Sequence, residues 1–457
     1  MNSFKVPLSA WVYLLIAGLA LVDVVEDWPQ IIPIAAALTI LFLVLEIPNA
    51  SPTPRIIGLL LIGFGLAAAA YGGQPEIAAL DGFARSKTFL LLFFAVAWLQ
   101  IPARESPALQ AAREMITSQP PGRRFLFAAL GVHLLGSVLN LAGLSLVATM
   151  IDRKLDPGLL RRLSTALMLG FTSASGWSPF YVSMVVVLSA LPTLQWIDVA
   201  PFGFLFAMMG VFGGFLYDRI LHHRGSPVSG GVPTPLPAKV RGRVVAILGS
   251  LAVLVVGLVH LADISIPVAL GLIAPPFALI WRASMVPGAP SLATRATHMR
   301  GLMKQVVGGL PALRNEALVF VGATVFGVGV STLIPAENLG PLLDHWLPSV
   351  DLRLVGLTFG VALLSMIGLH PVIVVILVGE VLPPEVLGAP DWIIGLALLG
   401  VWGLSTMISP YSATTLYLAR VSGVSAYTMA WRWNPPFVFI AISMVSLGVI
   451  TLRHAAL

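Results

Sequence analysis

Apolar runs of about twenty residues follow one another from end to end of the chain, separated by short polar segments. A run of that length crosses a hydrocarbon core about 30 Å thick as a helix. The pattern predicts membrane-spanning helices at about 8–24, 30–47, 55–72, 87–102, 164–191, 200–219, 243–262, 264–281, 316–335, 393–420 and 434–452. Two further apolar runs, about 125–151 and 353–379, differ from these in their flanks. The first has Arg123 and Arg124 before it and Arg153 and Lys154 after it. The second has Asp344 and Asp351 before it and Glu380 and Glu385 after it. A true crossing places its two flanks on opposite faces. Like-charged flanks point to a hairpin that enters and leaves by one face, with turns at Asn140-Leu141-Ala142-Gly143 and Gly368-Leu369-His370-Pro371. Non-helical backbone at membrane depth is tolerated where protein buries it or a cavity is lined.

Lys and Arg set the orientation, because cytoplasmic loops carry the basic excess. The segments Arg104 to Arg124, Arg153 to Arg162, Arg219 to Arg243 and Arg282 to Arg314 are basic. The segments Asp23 to Asp27, Glu76 to Asp81, Thr193 to Asp198, Asp263, Glu337 to Asp351 and Glu380 to Asp391 are mostly acidic or neutral, with Arg85, Lys87, Arg353 and Arg453 as the basic exceptions on that side. The N-terminus is then cytoplasmic and the C-terminus external, in a bacterial-type inner (plasma) membrane. Met1 to Lys5 and the run after them read as a retained first helix, since no small-residue cleavage site follows.

A broken helix follows each hairpin. One reads Thr172-Ser173-Ala174-Ser175-Gly176-Trp177-Ser178-Pro179-Phe180-Tyr181, the other Ser405-Thr406-Met407-Ile408-Ser409-Pro410-Tyr411-Ser412. Each is a hydroxyl cluster, then Ser-Pro, then an aromatic. Proline inside a helix removes one hydrogen bond and clashes with the preceding turn. Before each hairpin lie three helices and a polar arm, at about 103–122 and 336–352. The expected organisation is an N-terminal helix (1–29), a first repeat (30–224), a cytoplasmic linker (225–242) and a second repeat (243–457) of opposite orientation. Inverted repeats with discontinuous helices are a pattern of secondary transporters.

Composition narrows the class. The protein is 58% hydrophobic and 10% charged, with a mean hydropathy of +0.94, too few charges to cover a soluble protein in water. The net charge of +6 sits in short loops and does not point to nucleic acid. Zero cysteines exclude disulfides and thiolate metal sites. No metal-ligand cluster, nucleotide loop or catalytic triad spacing appears. Neither a cofactor nor an enzyme activity is expected. Hairpins and breaks hold no Asp or Glu, which disfavours a cation/proton antiporter. A polytopic enzyme acting on lipid-linked substrates usually has a loop domain with catalytic acids, and here the longest loop is Pro- and Gly-rich without them.

The candidate solute-binding residues are Asn140 and Gly143 at the first turn, His370 at the second, and Ser173, Ser175, Ser178, Pro179, Ser405, Thr406, Ser409, Pro410 and Ser412 at the breaks. Half-helix N-termini carry free N–H groups and partial positive charge, suited to an anion. His370 is the candidate for proton coupling, because imidazole titrates near neutrality. His133 reads as structural.

With two opposed hairpins, each followed by a broken helix, the chain resembles the ion transporter superfamily, above all its divalent anion/sodium symporters. In that family a Ser-Asn-Thr motif at each tip binds substrate carboxylate and sodium. Here the tips read Leu139-Asn140-Leu141 and Leu369-His370-Pro371. The resemblance implies an all-α polytopic membrane fold of about eleven spanning helices plus two hairpins, symport of a small anionic solute, a homodimer, and an elevator mechanism. It leaves the coupling ion open between proton and sodium.

Overall fold

The computed structural model describes residues 6–24, 28–221, 234–286, 288, 291–334, 336–382 and 384–456. Met1 to Lys5, part of the acidic Asp23 to Asp27 loop, and 225–233 of the expected linker lie outside the described residues. The protein is an all-α integral membrane protein. No strand occurs among the described residues, and ten of their helices are long and apolar enough to cross a bilayer, or up to eleven counting one bent pair.

The helices fall into two compact units that cut across the sequence repeats. The first comprises the described residues of Met1–Pro107 and Ile247–Pro335. It contains α1 (Leu8–Val22), α2 (Ile31–Asn49), α3 (Pro52–Tyr71), α4 (Pro75–Glu105), most of α11 (Ala238–Ala262), α12 (Ile266–Ser284), α13 (Leu292–Gly309) and α14 (Arg314–Ser331). The second comprises the described residues of Ala108–Ala246 and Ala336–Leu457. It contains nearly all of α5 (Pro107–Thr117), then α6 (Pro121–Leu139), α7 (Leu141–Met150), α8 (Pro157–Ala174), α9 (Val182–Ala190), α10 (Trp196–Leu221), α15 (Ala336–Trp346), α16 (Val350–Met366), α17 (Pro371–Val381), α18 (Asp391–Ile408), α19 (Ala413–Ser422) and α20 (Pro435–Ala456).

Packing in the first unit is reciprocal. The second helix of one triplet packs on the third helix of the other: α3 on α14, and α12 on α4. Apolar surface gives little drive for helix association in lipid, so small residues that let backbones approach are favoured. Gly58 and Gly65 of α3 and Gly72 just after it, one heptad apart, meet Gly322 and Gly329 of α14 and Thr332 just after it, in rising order. The two helices therefore run parallel, as the charge-based orientation requires. α4 and α12 are also parallel, with Leu91 against Gly271 at one level and Glu105 paired with Arg282 at 2.7 Å further on.

Two segments expected as loops are helical. The stretch from Pro75 continues through a π-helical turn, Ala78–Gly82, into α4, because Gly82 lies against Val325 of α14 and docks it. The basic stretch before Arg314 forms α13, started by Ser291, whose Oγ accepts from Thr294 N at 3.2 Å. Glu46, near a helix end, and Asp218, beside Arg219, have the positions of membrane-interface acids but are buried. Glu46 accepts from Ser9 Oγ at 2.6 Å and pairs with Arg314 at 3.5 Å. Asp218 holds Arg162 through two oxygens, at 2.7–3.1 Å. Partners so distant in sequence leave no local signal.

The second unit settles the path of the two atypical runs. α6 and α8 lie side by side and parallel: Ala129 meets Gly170, His133 meets Ser173, and Ser137 meets Ser178. Residues 140–156 must therefore carry the chain back to the end where α6 began. Both starts lie at one end of α10, Phe125 beside Phe215 and Arg162 on Asp218. The second run does the same. Arg353 at the start of α16 donates to the carbonyl of Val386, just before α18, at 3.0 Å. The chain turns by 97° between Leu339–Trp346 and Val350–Met366. The helices of the two runs span Pro121–Met150 and Val350–Val381, beside the expected 125–151 and 353–379. α6 alone is nonetheless long enough by length to cross a membrane.

Candidate functional site

Each hairpin turn meets the break that follows it. At the first, Asn140 ends α6 and starts α7 with φ 52° and ψ −135°, a conformation few side chains adopt. Its Oδ1 accepts from Leu141 N at 2.9 Å and its Nδ2 donates to the carbonyl of Phe180 at 3.4 Å. Gly143 lets α7 fold back, since a Cβ there would collide with the backbone of Leu135 and Gly136. At the second, Gly368 lies in the left-handed region (φ 116°) and faces the Tyr411 ring. Phe180 and Tyr411 are the residues that follow Pro179 and Pro410, so both turns are met by the aromatic after Ser-Pro.

The hydroxyls mostly serve the backbone that the prolines interrupt. In the first break, Ser175 Oγ donates to Thr172 O at 2.6 Å, Tyr181 to Phe171 O at 2.8 Å and Ser183 to Ser175 O at 2.8 Å. Ser178 donates to the carbonyl of Ser137, tying the break to α6, and accepts from Phe180 N at 3.2 Å. In the second break, Ser405 donates to Trp402 O, Thr406 to Gly403 O and Ser412 to Thr406 O, at 2.7–2.8 Å. Ser412 also starts α19 by accepting from Thr415 N at 3.2 Å. The hydroxyl of Ser409, a buried residue, takes part in none of these bonds.

The two breaks belong to one cluster. α8 and α18 cross at Gly403, where a Cβ would collide with Thr172 O. α8 packs on α19 and α9 on α18. Asn434 links them: its Nδ2 donates to Met407 O at 2.9 Å and its Oδ1 accepts from Thr165 at 3.3 Å.

His133 lies beside the first break, hydrogen-bonded to two of its residues. Trp177 Nε1 donates to His133 Nε2 at 3.2 Å, so the neutral ring carries its proton on Nδ1, 2.9 Å from Ser173 Oγ. Ser173 in turn donates to Gly170 O at 3.0 Å. His370 is held differently. Its Nδ1 accepts from Val372 N at 3.2 Å and caps α17 ahead of Pro371, while its ring stands edge-on to Trp402 at 6.1 Å. Trp177 and Tyr181 lay within the first Ser-Pro segment. His133 and Asn434 had no sequence signal, because only packing brings them in.

The sequence matches no protein-family model and no curated protein. The fold is similar to the crystal structure of the YdaH transporter from Alcanivorax borkumensis. The likeness has a TM-score of 0.51 at 14% identity and covers 87% of this chain and 98% of that one. It is a likeness of fold.

Proposed function

We propose that the protein is a secondary transporter that moves a small anionic solute across the membrane by an elevator-type mechanism driven by an ion gradient. The observation that carries this reading is the paired contact of turn and break, Asn140 on Phe180 and Gly368 on Tyr411, within one compact unit. The half-helices α9 and α19 start at these breaks, and their N-termini offer N–H groups and partial positive charge without a carboxylate to repel an anion. Ser409 and Asn140 are the polar groups we assign to the solute. The helices before each arm form the other unit, which takes the part of the scaffold in a homodimer. The reciprocal packing supports an inverted repeat, and the likeness to a transporter supports the class.

Coupling is assigned to the proton. Sodium needs oxygen ligands, and the second turn offers imidazole and a proline without an N–H. The lone pair of His370 Nδ1 is engaged by Val372 N. Protonation there releases the cap of α17 and loosens the turn. The test is uptake of labelled mono- and dicarboxylates into proteoliposomes under a pH gradient and, separately, a sodium gradient. We expect accumulation under the pH gradient and an altered pH profile in His370→Gln. Uptake that follows sodium alone with an unchanged profile overturns the proton assignment, and no accumulation of any anion overturns the transporter reading.

A further inference from the structure

A groove of about 260 Å³ runs along the second unit between α10 and α20, floored by α8 and α18. Gly203, Gly210 and Gly213 open its α10 wall, and Ile440 and Met444, both exposed, line the other. A Cβ on Gly210 or Gly213 would meet nothing within 4 Å, so both face unfilled space. The polar groups of the floor are already spent: Thr172 donates to Leu169 O and Ser173 to Gly170 O. The floor therefore offers an occupant no spare donor, which suits hydrocarbon.

The groove has a polar end. Leu169, Tyr217 and Phe437 line it and also line a small adjoining hollow that contains Arg161, Arg162, Asp218 and Trp433. Arg162 is neutralised by Asp218 at 2.7 Å. Arg161, which donates to Trp433 O at 3.3 Å, and exposed Arg219, over the Phe215 ring at 6.0 Å, leave this end positive. The acid nearby in sequence, Asp156, is engaged by the first N–H groups of α8. Aromatic and basic side chains at the end of an apolar groove match the headgroup level of a bilayer.

We propose that this groove holds an acyl chain of an anionic phospholipid, with the headgroup at Arg161 and Arg219. The test uses the full-length protein purified in mild detergent with phosphatidylglycerol or phosphatidylcholine of matched chains, the bound lipid being counted by native mass spectrometry. Wild type should keep one phosphatidylglycerol and prefer it roughly tenfold over phosphatidylcholine. Gly210→Leu with Gly213→Leu, which builds side chains into the groove from positions where a Cβ meets nothing within 4 Å, should lose it while the protein stays monodisperse. Gly213→Leu alone serves if the double variant does not fold. Arg219→Gln should bind both lipids with a reduced preference. Equal retention of the two lipids by wild type, or undiminished phosphatidylglycerol in the filled variant, overturns the proposal. So does efficient cross-linking of Gly210→Cys between copies in native membranes, which would make the occupant a second chain.

Discussion

Arg353 and Val386 are joined by a hydrogen bond of 3.0 Å, from Nη1 to the carbonyl oxygen, and this bond closes the second hairpin at its base. The same guanidinium donates to Leu347 O at 2.9 Å and pairs with Asp344. Sequence counted Arg353 as an exception to the charge pattern, because it is a basic residue among acidic flanks. The structure makes it the clasp between arm, hairpin and the segment before α18.

Replacing Arg353 with Leu should destabilise the protein by about 1.5–3 kcal/mol for each charged hydrogen bond left unmade. Arg353→Lys should recover only part of this, because an ammonium cannot reproduce the planar fork. Thermal unfolding in detergent measures both, and equal stability of all three proteins would remove the clasp.

The hairpins can be tested from outside the membrane. The protein has zero cysteines, so single replacements report cleanly. Cysteines at Arg124 and Arg153 should both react with an impermeant thiol reagent from the cytoplasm. Cysteines at Ser349 and Glu385 should both react from the opposite face. Labelling of either pair from two faces would make that run a crossing.

Arg162 and Asp218 form a buried pair, with side chains 8% and 6% exposed. Asp218→Asn or Arg162→Met alone strands a charge or a donor set and should cost about 3–5 kcal/mol. Arg162→Met combined with Asp218→Leu should regain much of that loss, because no buried charge remains. A double variant less stable than both singles in thermal unfolding would contradict this account.

Asn140 separates backbone demand from chemistry. Its φ of 52° with ψ −135° is a glycine conformation, and holding a side chain there costs about 1–3 kcal/mol. Asn140→Gly should therefore unfold no more easily than wild type. It also loses the bond to Phe180, so uptake in proteoliposomes should fall steeply. Full uptake by this variant would leave Asn140 with a turn-forming role alone.

Ser178 and Ser409 precede the two prolines, yet their surroundings differ. Ser178 is bonded to Ser137 and Phe180, so Ser178→Ala should lower stability by about 1 kcal/mol. Ser409→Ala removes no such bond and should leave stability unchanged while weakening uptake. Comparing Tm with apparent KM for both variants distinguishes the roles, and a reversed pattern would exchange them.

Much of the architecture was determined by the chain itself, because a bilayer imposes a simple rule on sequence. Each crossing needs about twenty apolar residues, and each basic loop marks a face. That rule predicted the spans and, through the charges of their flanks, set the two atypical runs apart. It also required α3 and α14 to run parallel, as Gly65 against Gly329 shows them to do. Packing alone decided the rest. Glu46 and Asp218 look like surface acids until Ser9 and Arg162 arrive from remote helices. Ser183 and Ser412 are the donors that meet the carbonyls of Ser175 and Thr406, which Pro179 and Pro410 leave without an amide partner. His133 joined Trp177 and Ser173 only because parallel α6 and α8 bring their levels together. Such partners are set by hydrogen-bond satisfaction in a medium without water, and that demand depends on which backbone groups the fold leaves open, not on local composition.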